Sequence, residues 1–174
     1  MDTKKVDRPL FARPLVAAPL ALILLFAGCT QAPPPPPTIG IMKFPEGSVQ
    51  HAVHAEAIQW KPCPGNLPSG CEMAVLEGNP QEADLFTLRF RLNQDFFMPA
   101  HSHPKDERVT ILQGKAYVAF GEDGTRENAK GFGPGDYYVN AREAIHQVWA
   151  DSSTILQITG IGPWEAHFVG EESQ

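Results

Sequence analysis

The feature that most restricts the fold of this chain is an alternation of apolar and polar residues at positions 86–92, which have the sequence Phe-Thr-Leu-Arg-Phe-Arg-Leu. Successive side chains of a strand point to opposite faces of a sheet, so a period of two predicts a β-strand with one buried face. The parity does not say which face Arg89 and Arg91 occupy. If they faced inward, they could bind a carboxylate substrate through paired hydrogen bonds.

Turn residues divide the rest of the chain after Glu72 into short apolar segments. Glycine and proline groups such as Gly133-Pro134-Gly135 separate these segments. Residues 46–60 are expected to form a short helix or an irregular lead-in. Many short strands without a long amphipathic helix indicate an all-β sandwich or barrel. The further strands are predicted at 72–77, 95–101, 107–113, 115–121, 136–140, 145–150, 153–160 and 164–169.

Candidate metal ligands lie in the predicted strands on either side of Pro104. His101 and His103 are two residues apart, so a strand would present both imidazoles to one face. Glu107 has the same parity, and His146, in the predicted strand 145–150, is the best candidate for a fourth ligand. Three imidazoles and one carboxylate suit a divalent first-row metal such as Fe, Mn, Ni, Co, Cu or Zn.

The spacing from His101 and His103 through Glu107 to Gly114 resembles the first motif of the cupin family. Gly135 and His146 are similar to the glycine and histidine of the second cupin motif. The departures from the family pattern are Asp95 for the leading glycine of the first motif, and Ala141, Glu143 and Ala150 for the proline, glycine and asparagine of the second.

The resemblance covers roughly residues 80–168 and implies a double-stranded β-helix (jelly-roll) barrel with the metal inside it. It implies a metalloenzyme of dioxygenase, decarboxylase, lyase or isomerase type, acting on a small molecule with one divalent ion held by His101, His103, Glu107 and His146. Glu107 would be a ligand first, and in some cupins such a glutamate also moves a proton as a catalytic group. The alternative is a metal-binding or ligand-binding envelope module without turnover. A homodimer is expected because dimers are common in this family.

The N-terminus has the pattern of an export signal. Basic residues within positions 1–13 precede an uncharged apolar segment, Leu15 to Ala27, of about 13 residues, whereas a membrane-spanning helix needs roughly 20. Ala27-Gly28-Cys29 resembles the lipobox of bacterial lipoproteins, which implies cleavage before Cys29 and lipidation of its thiol. We therefore expect residues 1–28 to be a lipoprotein signal peptide. The protein would be anchored in a membrane by lipid and would face the periplasm or the cell surface.

The proline run, the net charge and the cysteine pair lead to three further expectations. Residues 29–45 contain the proline run 33–37, a stiff spacer of roughly 15 Å, which leaves 46–174 as the barrel domain. The formal net charge is −6, which disfavours binding to nucleic acid phosphates. Cys63 and Cys71 close a turn-rich loop, and an exported compartment favours a disulfide between them.

Overall fold

The computed structural model describes residues 39–170 of the chain. The predicted signal peptide, the predicted lipidation site Cys29 and most of the predicted linker lie outside the described residues. Within the described part, no helix is long and apolar enough to cross a membrane.

Almost all regular structure in residues 39–170 is β-strand. The lead-in at 46–60 contains a single 3₁₀ turn, Ala55–Ala57, and is otherwise irregular up to the first strand. The strands are β1 (Lys61–Pro62), β2 (Cys71–Glu77), β3 (Leu85–Leu92), β4 (Phe96–Ser102), β5 (Glu107–Gln113), β6 (Ala116–Phe120), β7 (Lys130–Phe132), β8 (Tyr137–Asn140), β9 (His146–Ala150), β10 (Thr154–Ile161) and β11 (His167–Phe168).

The strands form two antiparallel sheets. The order is β1-β2-β3-β10-β5-β8 in the six-stranded sheet and β11-β4-β9-β6-β7 in the five-stranded sheet. Consecutive strands therefore often lie in different sheets, as in a jelly roll. The all-β jelly-roll barrel predicted from the sequence is confirmed.

The alternation in β3 places one set of side chains in the core between the sheets. Phe86 and Leu88 are fully buried, and the arginines between the apolar residues lie on the outer face. There Arg89 Nε donates a hydrogen bond to Gln157 Oε1 at 3.1 Å, and Arg91 Nε donates to Glu72 Oε2 at 2.7 Å. The hypothesis that these arginines bind a substrate inside the barrel is therefore wrong.

Two of the departures from the cupin motifs keep the backbone shape that glycine would allow. Asp95 and Glu143 have φ angles of 62° and 60°, in the left-handed region that favours glycine. Gly114 also has a positive φ, and a Cβ there would collide with the carbonyl oxygen of Ser153. The turns around the barrel are therefore kept although two glycines of the motifs are replaced.

The predicted pairing of Cys63 with Cys71 is present in the structure as a disulfide. The loop it closes packs Leu67 against the core between the sheets. A backbone hydrogen bond from Cys63 N to Cys71 O, 3.1 Å long, continues the pairing of β1 with β2. The disulfide thus lies against the core between the sheets.

Candidate metal centre

Three strands and one loop bring the predicted ligands to one point between the sheets. His101 lies in β4 directly opposite His146 in β9, and an irregularity in this pairing falls between Met98 and His101. His103 follows the end of β4, and Glu107 begins β5. All four side chains are buried, with at most 6% of each residue exposed.

The three imidazoles are close enough to share an ion. One ring nitrogen from each of His101, His103 and His146 can be chosen so that all three lie within 4.8 Å of one another. Bonds of about 2.0–2.1 Å to a common metal would place two such nitrogens up to about 4 Å apart. The observed cluster is therefore close to the geometry that an ion would impose.

Hydrogen bonds to backbone carbonyls fix the orientation of each ring. The Nδ1–H groups of His101, His103 and His146 donate to the carbonyl oxygens of Pro99, Glu165 and Ala144 at 2.7, 2.6 and 2.9 Å. A donating Nδ1 leaves the lone pair of a neutral imidazole on Nε2, which is the atom a metal binds. The backbone therefore prepares all three rings as Nε2 ligands.

One of these nitrogens lacks any hydrogen-bond partner among the described residues. His103 Nε2 is buried and unpaired, which is costly for a polar atom inside a protein. A metal ion would satisfy this nitrogen together with those of the other two rings. The residues present therefore fit a divalent metal.

Burial keeps His101 and His146 in the neutral form that a metal needs. Burial, together with the neighbouring His146 and His103, lowers the pKa of His101 to about 3, and burial also lowers the pKa of His146. Burial alone would raise the pKa of Glu107, but the three histidines and a hydrogen bond from Trp164 outweigh it and lower that pKa. Near neutral pH His101 and His146 are thus neutral and lie beside the Glu107 carboxylate.

Glu107 lies next to the histidines but is not part of the group of three ring nitrogens described above. Its Oε1 is 3.4 Å from His103 Nε2, and its Oε2 is 3.8 Å from His146 Nε2. The group of atoms within 4.8 Å found in residues 39–170 contains the three imidazoles alone. The structure therefore places the carboxylate at the edge between His103 and His146.

Sequence reasoning missed two residues that hold this carboxylate. Trp164 Nε1 donates to Glu107 Oε1 at 3.1 Å, and Asn140 Nδ2 donates to Glu107 Oε2 at 3.0 Å. Asn140 lies opposite Glu107 in the pairing of β8 with β5. That pairing could have pointed to Asn140, but it depends on the sheet order, which the sequence does not show.

A cavity of about 60 Å³ opens beside the cluster between the two sheets. Apart from the cluster and Glu107, apolar and aromatic side chains form almost all of its wall, and no lysine or arginine contributes to it. Burial and the charge of Glu107 raise the pKa of Tyr138, so its hydroxyl stays protonated. The wall consists of the three histidines, Glu107, Leu67, Cys71, Phe90, Leu92, Phe96, Met98, Val109, Tyr138, Val148, Leu156, Ile158 and Trp164.

Solved structures with the same architecture are distant in sequence. The polyketide cyclase RemF from Streptomyces resistomycificus is 16% identical, with a TM-score of 0.59 over 71% of this chain and 88% of that chain. An acetylacetone dioxygenase from Acinetobacter johnsonii is 14% identical, with a TM-score of 0.57 over 78% and 88%. An RmlC-like cupin from Shewanella frigidimarina is 18% identical, with a TM-score of 0.51 over 64% and 90%. At these identities the likeness shows the fold alone.

The match to a family model is independent of these structures. No curated protein sequence matches the chain. The model of the ChrR cupin-like domain matches residues 48–165, which contain the three histidines, Glu107 and all but the last of the strands. The chain therefore belongs to the family of ChrR cupin-like domains.

Proposed function

We propose that this protein is a metal-dependent cupin that acts on a small, uncharged molecule bound between its two sheets. The observation that carries the proposal is the convergence of three buried imidazoles whose Nδ1 atoms are all engaged by backbone carbonyls. Side chains kept for packing alone would not leave a polar atom such as His103 Nε2 buried without a partner.

The residues of the site have separate roles in this proposal. His101, His103 and His146 hold the ion through their Nε2 atoms, and Glu107 is the candidate for the fourth ligand. When bound, a divalent ion supplies Lewis acidity that polarises an oxygen of the bound molecule. Glu107, a carboxylate beside the rings, accepts a proton from that molecule and returns it at the end of the reaction.

The wall of the cavity determines the chemistry of the molecule it can take. With no lysine or arginine in the wall, an anionic group placed away from the histidines would lose its hydration without a partner. The polyketide cyclase and the acetylacetone dioxygenase are structural neighbours, and acetylacetone is a small uncharged molecule with two oxygens. Acetylacetone is therefore the first ligand to test for binding.

Acetylacetone and acetoacetate form a matched pair of ligands. They differ mainly at one position, where acetylacetone has a methyl group and acetoacetate has a charged carboxylate oxygen. We expect acetylacetone to bind the protein loaded with Fe²⁺, Mn²⁺, Co²⁺, Ni²⁺ or Zn²⁺ at least about tenfold more tightly than acetoacetate does, since the buried charge is unpaired. Calorimetric titration measures both constants. Equal or tighter binding of acetoacetate would show that the proposed class of ligand is wrong.

A metal-binding or ligand-binding module without turnover is the second candidate. The small volume of the cavity, about 60 Å³, favours it, because little room remains for two reactants. Product analysis after incubation with acetylacetone and O₂ separates the candidates. Saturable binding without any product would support the module, and formation of a product that depends on the bound metal would support the enzyme.

We further propose that the domain is exported and held at a membrane by a lipid on Cys29. The charged and apolar pattern of residues 1–28 supports this location. The disulfide between Cys63 and Cys71 also supports it, because disulfides persist in oxidising compartments outside the cytoplasm.

A further inference from the structure

The cavity beside the histidines is lined at one end by the metal centre and at the other by residues near the loop 63–71, here called the disulfide loop. Its wall includes His101 near the end of β4 and Phe96 at the start of that strand. Phe96 pairs with Ala150 on β9, four residues beyond His146, so roughly 13 Å of strand separates Phe96 from the histidines. The cavity therefore has a metal end and an opposite end.

The disulfide loop lies at the opposite end. A Cβ on Gly70 would lie 3.8 Å from the ring of Phe96, so the last part of the loop is beside that ring. Cys71, where β2 begins, pairs with Leu92, where β3 ends. Leu67, from the middle of the loop, packs against the core and forms part of the cavity wall. Its side chain therefore closes the cavity at the end away from the metal centre.

Several bonds hold the disulfide loop in place. The disulfide joins its two ends. Within the loop, the backbone N–H of Leu67 donates a hydrogen bond to the carbonyl oxygen of Pro64 at 2.9 Å. The backbone N–H of Asn93 donates to the carbonyl oxygen of Gly70 at 2.8 Å, which ties the loop to the turn after β3. Leu67 is thus a bulky side chain on a fixed backbone.

We infer that Leu67 determines the length of the ligand, because it fills the end of the cavity opposite the histidines and excludes molecules longer than acetylacetone. This inference rests on the proposed function for the class of ligand, a small uncharged molecule with its oxygens at the metal end. A longer molecule gains affinity from each buried methylene only where the wall leaves room for it. In a cavity of about 60 Å³, the side chain of one leucine decides whether that room exists.

Heptane-2,4-dione tests the inference, since it extends one end of acetylacetone by two carbons. Calorimetric titration of the Zn²⁺-loaded protein measures the dissociation constants of both compounds. We expect the wild type to prefer acetylacetone. In Leu67→Ala the ratio of the two constants should shift by at least about tenfold toward heptane-2,4-dione, because the two added carbons become buried. Leu67→Phe, which keeps that end of the cavity filled, should retain the wild-type preference.

Leu112→Ala is the matched control, because Leu112 is 40% exposed and is not part of the cavity wall. The ratio of the two constants should not change in this variant. Thermal unfolding checks that each variant is folded. A folded Leu67→Ala protein with the wild-type ratio would overturn the inference, even if its Tm were lower, because a leucine that only packs against the core affects stability and not the choice of ligand.

Benzene binding to the metal-free proteins separates this inference from the proposed function. An apolar cavity opened by a large-to-small substitution can bind benzene. Metal-free Leu67→Ala should bind benzene at least about tenfold more tightly than the wild type does. If this occurs and neither diketone binds any Zn²⁺-loaded protein, the proposed function is wrong and the position of Leu67 in the cavity is supported. Equal benzene binding by the two proteins would overturn the inference alone.

Discussion

The backbone N–H of Glu143 donates a hydrogen bond to the carbonyl oxygen of His103 at 2.8 Å. This bond joins the turn before β9 to the chain after β4, so it connects the segments that carry His146 and His103. Glu143 makes it with a φ of 60°, a conformation that is unfavourable for a residue with a side chain. The unfavourable backbone conformation of Glu143 therefore costs some folding stability, and the turn it forms brings His103 and His146 together.

Replacing Glu143 by glycine is expected to stabilise the protein. Glycine adopts a positive φ without the steric cost that glutamate has there. Removing this cost stabilises the folded state by more than the greater freedom of glycine stabilises the unfolded chain, so the net gain should be about 0.5–1 kcal/mol. Thermal unfolding measures the gain as a rise of a few degrees in Tm. Glu143→Ala is the control, because alanine keeps the steric cost, and an equal Tm for the two variants would contradict the prediction.

The metal-free protein is expected to lose stability as the pH falls below about 6.5. The pKa of His101 is lowered to about 3 and that of His146 is also lowered, whereas the ordinary value is 6.5. The unfolded chain therefore binds more protons in this range, and the free energy of unfolding falls by up to roughly 1 kcal/mol per pH unit for each histidine.

Urea unfolding of the metal-free protein at about pH 7.5 and about pH 5 measures this loss. His167→Gln is a suitable control, because it removes a histidine whose side chain is 52% exposed. A free energy of unfolding that is the same at both pH values would show that His101 and His146 are not held neutral by burial.

Removing the disulfide is expected to destabilise the barrel. The Cys63–Cys71 bond closes a loop with a sequence separation of 8, and a loop of this length contributes about 2.5 kcal/mol by restricting the unfolded chain. Cys63→Ala should therefore lower Tm, and the Tm of that variant should not respond to a reducing agent. A wild-type Tm that is unchanged under reducing conditions, with the thiols shown to be free, would contradict this.

Lipidation is expected to depend on Cys29 alone. The residues Ala27-Gly28-Cys29 resemble a lipobox, so Cys29→Ser should remove the modified thiol. Labelled fatty acid fed to the expressing cells should appear on the wild-type protein and not on Cys29→Ser. Cys63→Ser serves as the control that keeps the label, and label retained on Cys29→Ser would refute the assignment.

The long central strands were the most predictable part of the fold. The alternation at 86–92 marks β3, and the predicted strand at 107–113 coincides with β5. The sequence did not reveal β1 and β7, because Lys61–Pro62 and Lys130–Phe132 are too short for a period to emerge. The predicted strand at 164–169 is shorter in the structure, since Trp164 belongs to the loop before β11.

The site was predictable where its residues are close in the chain or belong to a motif. His101 and His103 lie on one face because strand geometry requires it. His146 was the best candidate for a further ligand from its predicted strand, and it also matches the histidine of the second cupin motif. Trp164, which is 57 residues from Glu107, and Asn140 have no such pattern. Asn140 reaches the carboxylate through the pairing of β8 with β5, and Trp164 reaches it from the loop before β11. A single sequence does not encode either long-range contact in local spacing.

The metal content of His103→Ala tests the central claim most directly. His167→Ala is the matched control, because it removes a histidine from the surface near the same loop. Elemental analysis of the folded, purified proteins should find about one divalent ion per chain in the wild type and in His167→Ala, and almost none in His103→Ala. The same metal content in His103→Ala as in the wild type would show that the buried histidines do not form the metal centre.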